Sequence, residues 1–249
     1  MSTQGRAAAA AGMLVAVCLV APVGAGASVT VGADLTQAVN SGCGYCSALT
    51  LTKSSGMPET GSPVTGVLVS ARVKTQGPGA NGWIRVLRET STANSFHNAG
   101  EAAFTAPTND TPGGEVTTVL TRIPIQAGDR IAVAFPNNAV NYLRQGAPAS
   151  CTAHIDDVDT NSDGTDRPYS TSFCGAAEVL ANGTVEADAD GDGYGDETQD
   201  LCPSDPTQHL VACPSAAPPQ LPATPNNKKC KKAKKKSAAA AKKKCKKKR

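Results

Sequence analysis

From Ser28 to Gly183 the apolar residues recur at every second position in short runs, the period of a strand with one buried face. In "VLVSARVK" this sets Val67, Val69, Ala71 and Val73 on one side and Ser70, Arg72 and Lys74 on the other. "VLTRIPIQAGDRIAVAF" repeats the pattern twice. Val119, Ile123 and Ile125 share a side, "AGD" turns the chain, and Ile131, Val133 and Phe135 share a side. "WIRVLRET" predicts a further strand with less regular alternation, and "ALTLT" another. "TQGPGANG" and "TNDTPGG" between them are rich in turn formers. No stretch carries a helical stripe. Many short strands over 28–183 predict an all-β fold, an antiparallel β-sandwich of jelly-roll-like kind.

After Gly183 the hydrophobic content collapses. Residues 186–205 hold eight acids and no base, and 184–213 form a segment without a large core of its own. The proline-rich 214–227 predicts an extended spacer, and the low-complexity 228–249 a disordered tail. At the other end, Arg6 followed by "AAAAAGMLVAVCLV" and the small-x-small "AGA" predicts a signal peptide over 1–27, with a mature start near Ser28. That apolar stretch is short for a transmembrane segment, and no other run reaches spanning length. The expected location is therefore secreted, extracellular or cell-surface associated.

Charge changes the picture next. The net value of +3 hides an asymmetry, because 14 of the 24 basic residues fall in 228–249, which has no acid. The remainder keeps ten bases against 21 acids, a balance of −11. An acidic body thus carries a cationic tail. Such a tail binds polyanions by counterion release, with little demand on their sequence. Outside a cell the available partners are anionic cell-wall polymer, polysaccharide or extracellular nucleic acid.

Without Cys18 the exported chain keeps eight cysteines, at 43, 46, 151, 174, 202, 213, 230 and 245. An even number in an exported chain points to disulfides, of which neighbouring pairs are the simplest set and the connectivity stays open. "CGYC" could also be a redox or zinc half-site. It precedes a strand, not a helix, and no second C-x-x-C or paired His completes four ligands, so a structural disulfide is expected.

The acidic stretch "DADGDGYGDETQD" carries the most specific chemistry. Asp188, Asp190 and Asp192 stand at positions 1, 3 and 5 of a calcium loop, with Gly193 at 6, the Tyr194 carbonyl at 7 and Asp196 at 9. A divalent cation cancels the repulsion among these carboxylates. Position 12 is Gln199, so Glu197 or Asp200 must supply that oxygen. No amphipathic helices flank the loop, which excludes a helix-loop-helix hand. "DADGDGYGDETQDLCPSDP" resembles a thrombospondin type 3 repeat of bacterial secreted and surface proteins, over about residues 186–214. The resemblance implies Ca2+ as the cofactor, Asp188, Asp190, Asp192, Tyr194 and Asp196 as ligands, and a disulfide that Cys202 and Cys213 fit. Asp200 is the further candidate ligand. "DTNSDGTDRPYS" echoes the loop at Asp159, Asn161, Asp163 and Gly164, but not at Arg167 or Ser170, and reads as a polar loop.

No G-x-S-x-G, H-E-x-x-H or phosphate loop accompanies the three histidines, His97, His154 and His209. The expected function is that of an exported, non-catalytic calcium-binding surface or matrix protein. Its sandwich would be a binding module, its repeat a metal-stiffened stalk and its tail an anchor. A secreted carbohydrate-active enzyme or sugar-binding protein is the first alternative, and a nucleic-acid binder acting through the tail the second. Asn109 and Asn182 lie in N-x-T sequons.

Overall fold

A computed structural model of the chain describes residues 27–44, 46–52, 60–93, 95–136, 139–147, 150–156, 165–169 and 177–214. Among them there is no helix. Twelve strands follow one another: β1 (Val29–Gly32), β2 (Cys46–Thr52), β3 (Gly66–Thr75), β4 (Ala80–Glu89), β5 (Ser95–Ala106), β6 (Glu115–Ile125), β7 (Arg130–Phe135), β8 (Leu143–Gln145), β9 (Cys151–Asp156), β10 (Arg167–Pro168), β11 (Ala177–Val179) and β12 (Ala181–Glu186). The fold is all-β.

Two antiparallel sheets face each other, one ordered β1-β12-β3-β6 and the other β10-β5-β4-β7-β2-β9, and β11 pairs with β8 as a small third sheet. A jelly roll has eight strands in its two sheets; these hold four and six. The shared core draws Leu68, Ala71, Val119, Ile123 and Val185 from the smaller sheet and Ala48, Ile84, Val86, Val133 and Phe135 from the larger. Each such side chain, fully buried, is worth about 1.5–3 kcal/mol over the exposed state for the larger aliphatics and Phe. The sides expected for β6 and β7 hold, although the turn between them carries the chain from one sheet to the other: Val119, Ile123, Ile125, Ile131, Val133 and Phe135 all enter this core. The turn between them is set by Gly128 at φ +93° and by Asp129, whose carboxylate accepts the Gln126 amide at 2.7 Å and the Arg88 guanidinium at 2.7 and 2.9 Å.

β7 also shows why "IAVAF" lacks polar alternation. Ala132 lies on the opposite face of the six-stranded sheet, in a second apolar cluster with Leu49, Leu87, Phe96, Ala153 and Ile155. A central strand covered on both sides has no solvent face to mark with polar residues.

One expected face is corrected. Val67, Val69, Ala71 and Val73 do not share a side. The β3–β12 register shifts between Thr184 and Val185, so that Val69 bulges out of the ladder. Leu68, Ala71 and Val73 point into the core, whereas Val69 lies on the outer side against Gly195 and is nonetheless only 5% exposed. The expected boundary after Gly183 also moves, because β12 continues to Glu186. Residues 1–213 fall in one compact unit and 214–249 in another. The expected signal peptide except for Ala27, the expected spacer beyond Pro214, and the basic 228–249 lie outside the described residues, as do the 159–164 echo loop and Cys174, the neighbour expected for Cys151.

Candidate metal centre

Leaving β12 at Glu186, the chain makes a loop closed by the Asp196 amide donating to the Ala187 carbonyl at 2.9 Å. Two left-handed glycines, Gly191 at φ +78° and Gly193 at φ +85°, fold it tightly. No atom lies within 4 Å of where their Cβ would stand, so torsion and not crowding asks for glycine there.

The aspartates then divide their oxygens between two tasks. One oxygen binds a nearby backbone amide: Asp190 Oδ1 accepts from Asp192, Asp192 Oδ1 from Tyr194, Asp196 Oδ1 from Ala189 and Asp200 Oδ1 from Cys202, at 2.7–3.3 Å. Asp188 uses both, accepting from Gly191 at 2.8 Å and Gly193 at 3.1 Å. The Oδ2 atoms of Asp190, Asp192, Asp196 and Asp200 are buried and make no hydrogen bond among the described residues. Asp196 and Asp200 are only 8% and 4% exposed. Buried carboxylate oxygens without a partner are costly, and a cation bound to them would remove that cost.

The electrostatics agree with the geometry. Carboxylate oxygens of Asp188, Asp190 and Asp192 lie within 4.8 Å of one another and could hold a metal ion. Loss of solvent, and then the charges of Asp192, Asp200 and Asp188, push the Asp190 carboxyl above its usual value, against the pull of the Asp192 amide. Asp196 is pushed up in the same way, by burial and then by Asp188, Asp190 and Asp200, against the Ala189 amide. Among the described residues no Lys or Arg pairs with any of the five; the imidazole of His209 approaches them, its Nδ1 3.8 Å from Asp192 Oδ2.

Of the two carboxylates available to replace position 12, Asp200 is the one whose charge acts on Asp190 and Asp196. Glu197 turns away and accepts the Ser28 amide at 2.7 Å. Gln199 ties the segment to β6, donating from Nε2 to the Thr121 carbonyl at 2.8 Å. The Tyr194 ring stacks on His209 at 3.8 Å and 10°, with the Arg122 guanidinium 4.2 Å from its centre. His209 is held there by the Cys202–Cys213 disulfide and by its carbonyl accepting the Leu201 amide at 3.0 Å.

The segment does not stand apart as a stalk. Glu186, 1% exposed at the end of β12, accepts the amides of Glu197 and Thr198 at 3.1 and 2.9 Å and the Thr198 hydroxyl at 2.8 Å. Gly195 presses so closely on Val69 that a Cβ there would stand 2.5 Å from Val69 Cγ1 and equally near Glu186 Oε2. The acidic segment therefore covers Val69, which the bulge in β3 leaves on the outer side. Glu186 and His209 escaped the sequence reading. The one signal for His209 was its place inside the Cys202–Cys213 loop, which must return the chain toward the aspartates.

The other sequence candidates are dispersed. His97 lies 3.6 Å from Asp166, and His154 lies beside the disulfide of Cys43 and Cys46. Both sequon asparagines are buried, and each donates from Nδ2 to a backbone carbonyl, Asn109 to Thr75 at 2.5 Å and Asn182 to Ala33 at 2.8 Å. Comparison with protein-family models, with curated proteins and with solved structures finds no match to the chain.

Proposed function

We propose that this is an exported calcium-binding surface or matrix protein in which Ca2+ fastens residues 187–213 onto the side of a β-sandwich binding module. The four buried Oδ2 atoms of Asp190, Asp192, Asp196 and Asp200, each left over after its partner oxygen has taken a backbone amide, carry the reading. Together with Asp188 and the Tyr194 carbonyl they form an all-oxygen donor set of the size and charge that calcium takes. Magnesium needs a stricter octahedron and retains its waters, so a flexible loop with many carboxylates favours the larger ion.

In this reading calcium acts as a structural clasp. It neutralises the repulsion that opposes closure of the loop, and closure keeps Gly195 over Val69 and the Glu186 hydrogen bonds intact. Loss of the ion would loosen the segment and uncover apolar surface on the sandwich. The cationic 228–249 would hold the protein near anionic polymers, an assignment that rests on its composition alone.

Calorimetric titration of the full-length protein with calcium is the direct test. One ion per chain is expected, with an affinity on the order of 0.1–1 mM, the extracellular class. In Asp190→Asn/Asp192→Asn the heat should vanish while the far-ultraviolet signature of the sandwich persists. Undiminished binding in that double variant would remove the site from these residues.

A further inference from the structure

Cys43 and Cys46 precede and open β2, and β9 runs antiparallel beside it with His154 opposite Ala48 and Asp156 opposite Cys46. Side chains alternate along a strand, so Cys46 and Ala48 share a face, and His154, the cross-strand neighbour of Ala48, shares it with them. The flanking residues confirm the phase, since Leu49, Ala153 and Ile155 all belong to the cluster on the opposite face. The outcome is a compact trio: the sulfurs of Cys43 and Cys46 and a ring nitrogen of His154 all lie within 4.8 Å of one another.

Two further features surround it. Cys43 and His154 line a cavity of about 280 Å³, with Leu143, Gln145 and Ala177 among its other walls. The buried Tyr142 hydroxyl donates to the Cys43 carbonyl at 2.7 Å and stands 3.8 Å from Cys46 Sγ. As a staple the Cys43–Cys46 bond is the weaker of the two disulfides described. It spans a sequence separation of 3 against 11 for Cys202–Cys213, and the unfolded-state entropy a bridge removes grows with its loop.

We propose that reduction of the Cys43–Cys46 disulfide converts this trio into a binding site for Zn2+. Cys43, Cys46 and His154 supply three ligands, and the fourth position opens on the cavity. The reductant is a dithiol. It delivers two electrons and two protons to the S–S bond, which breaks to two thiols, while the dithiol closes to its own disulfide. Zinc then displaces the two thiol protons to solvent. Two thiolates and one imidazole suit a borderline-soft ion, and three protein ligands with one open position are the pattern of a zinc site that accepts a further ligand. The oxygen cluster at Asp188–Asp200 selects hard cations, so the two sites do not compete.

The test uses the full-length chain, reduced with a dithiol under anaerobic conditions and freed of excess, with zinc chloride as the probe. Alkylation by iodoacetamide is followed at each cysteine by peptide mass spectrometry. Zinc is expected to slow the alkylation of Cys43 and Cys46 together at least tenfold, and His154→Gln to abolish most of that protection. Equal rates with and without zinc, or full protection in a folded His154→Gln chain, would overturn the proposal. X-ray absorption of the unmutated protein loaded with one equivalent of zinc decides the case should the variant not fold. A shell of two sulfurs near 2.3 Å with imidazole nitrogen is expected. An all-sulfur shell, or one without sulfur, would sink it.

Discussion

The sandwich core and the segment 187–213 sit in one compact unit, yet different forces hold them. Phe135, Val133, Ile84 and Leu68 are fully buried between the two sheets. In the acidic segment the large aliphatics Leu201, Leu210 and Val211 are 61%, 76% and 62% exposed, so it has no hydrocarbon core of its own. Its order comes from backbone amides bound to carboxylates, from the Cys202–Cys213 bridge, and from the borrowed patch at Val69. The contrast teaches that compactness does not imply a common source of stability. Apolar burial answers mainly to temperature and denaturant, whereas a cluster of like charges answers to the cations around it.

Cutting into the core should produce the largest effect and leave the other region's chemistry untouched. Phe135→Ala is expected to cost about 3–5 kcal/mol, as for large aromatic truncations in a packed core. Urea unfolding of the full chain should show the same loss with and without calcium. A loss that depends on calcium would mean that the core and the clasp are one energetic system.

Glu186→Leu acts at the joint between the regions. Leucine removes the acceptor of two backbone amides and of the Thr198 hydroxyl while keeping similar bulk. The expected cost is about 1–3 kcal/mol, the range for a buried hydrogen-bonding group left unmatched. Limited proteolysis should show faster cleavage within 187–213, and the sandwich should stay resistant. Unchanged cleavage would show that Glu186 does not anchor the segment.

Gly193→Ala probes the acidic loop alone. Nothing crowds the site, so the cost is that of holding an L-residue at positive φ, roughly 1–2 kcal/mol. Calcium affinity should fall by about five- to thirtyfold, the equivalent of that energy, with the core unaffected. Calorimetry reads the change, and an affinity equal to the parent's would place Gly193 outside the ion-binding conformation.

Local pattern carried much of this in the sequence itself. Val119, Ile123 and Ile125 declared their side of the sheet because a half-covered strand must alternate. The aspartates at 188, 190 and 192 and the glycine at 193 are close in sequence, so their convergence needs only a turn. Where a strand bulges or is covered on both faces, as at Val69 and Ala132, the period of two no longer reports which way a side chain points.

The amino-acid sequence by itself determined the all-β class, the acidic loop and its separation from the basic tail, because periodicity, turn residues and charge spacing act over a few neighbouring positions. Tertiary structure alone decided that the charge of Asp200 acts on Asp190 and Asp196 while Glu197 binds the Ser28 amide, that Glu186 and Val69 hold the segment against the sandwich, and that His154 meets Cys43 and Cys46. Those meetings depend on which strands lie side by side and in what register. Strand pairing across the fold is set by the packing of two whole sheets, and no local stretch of sequence contains it.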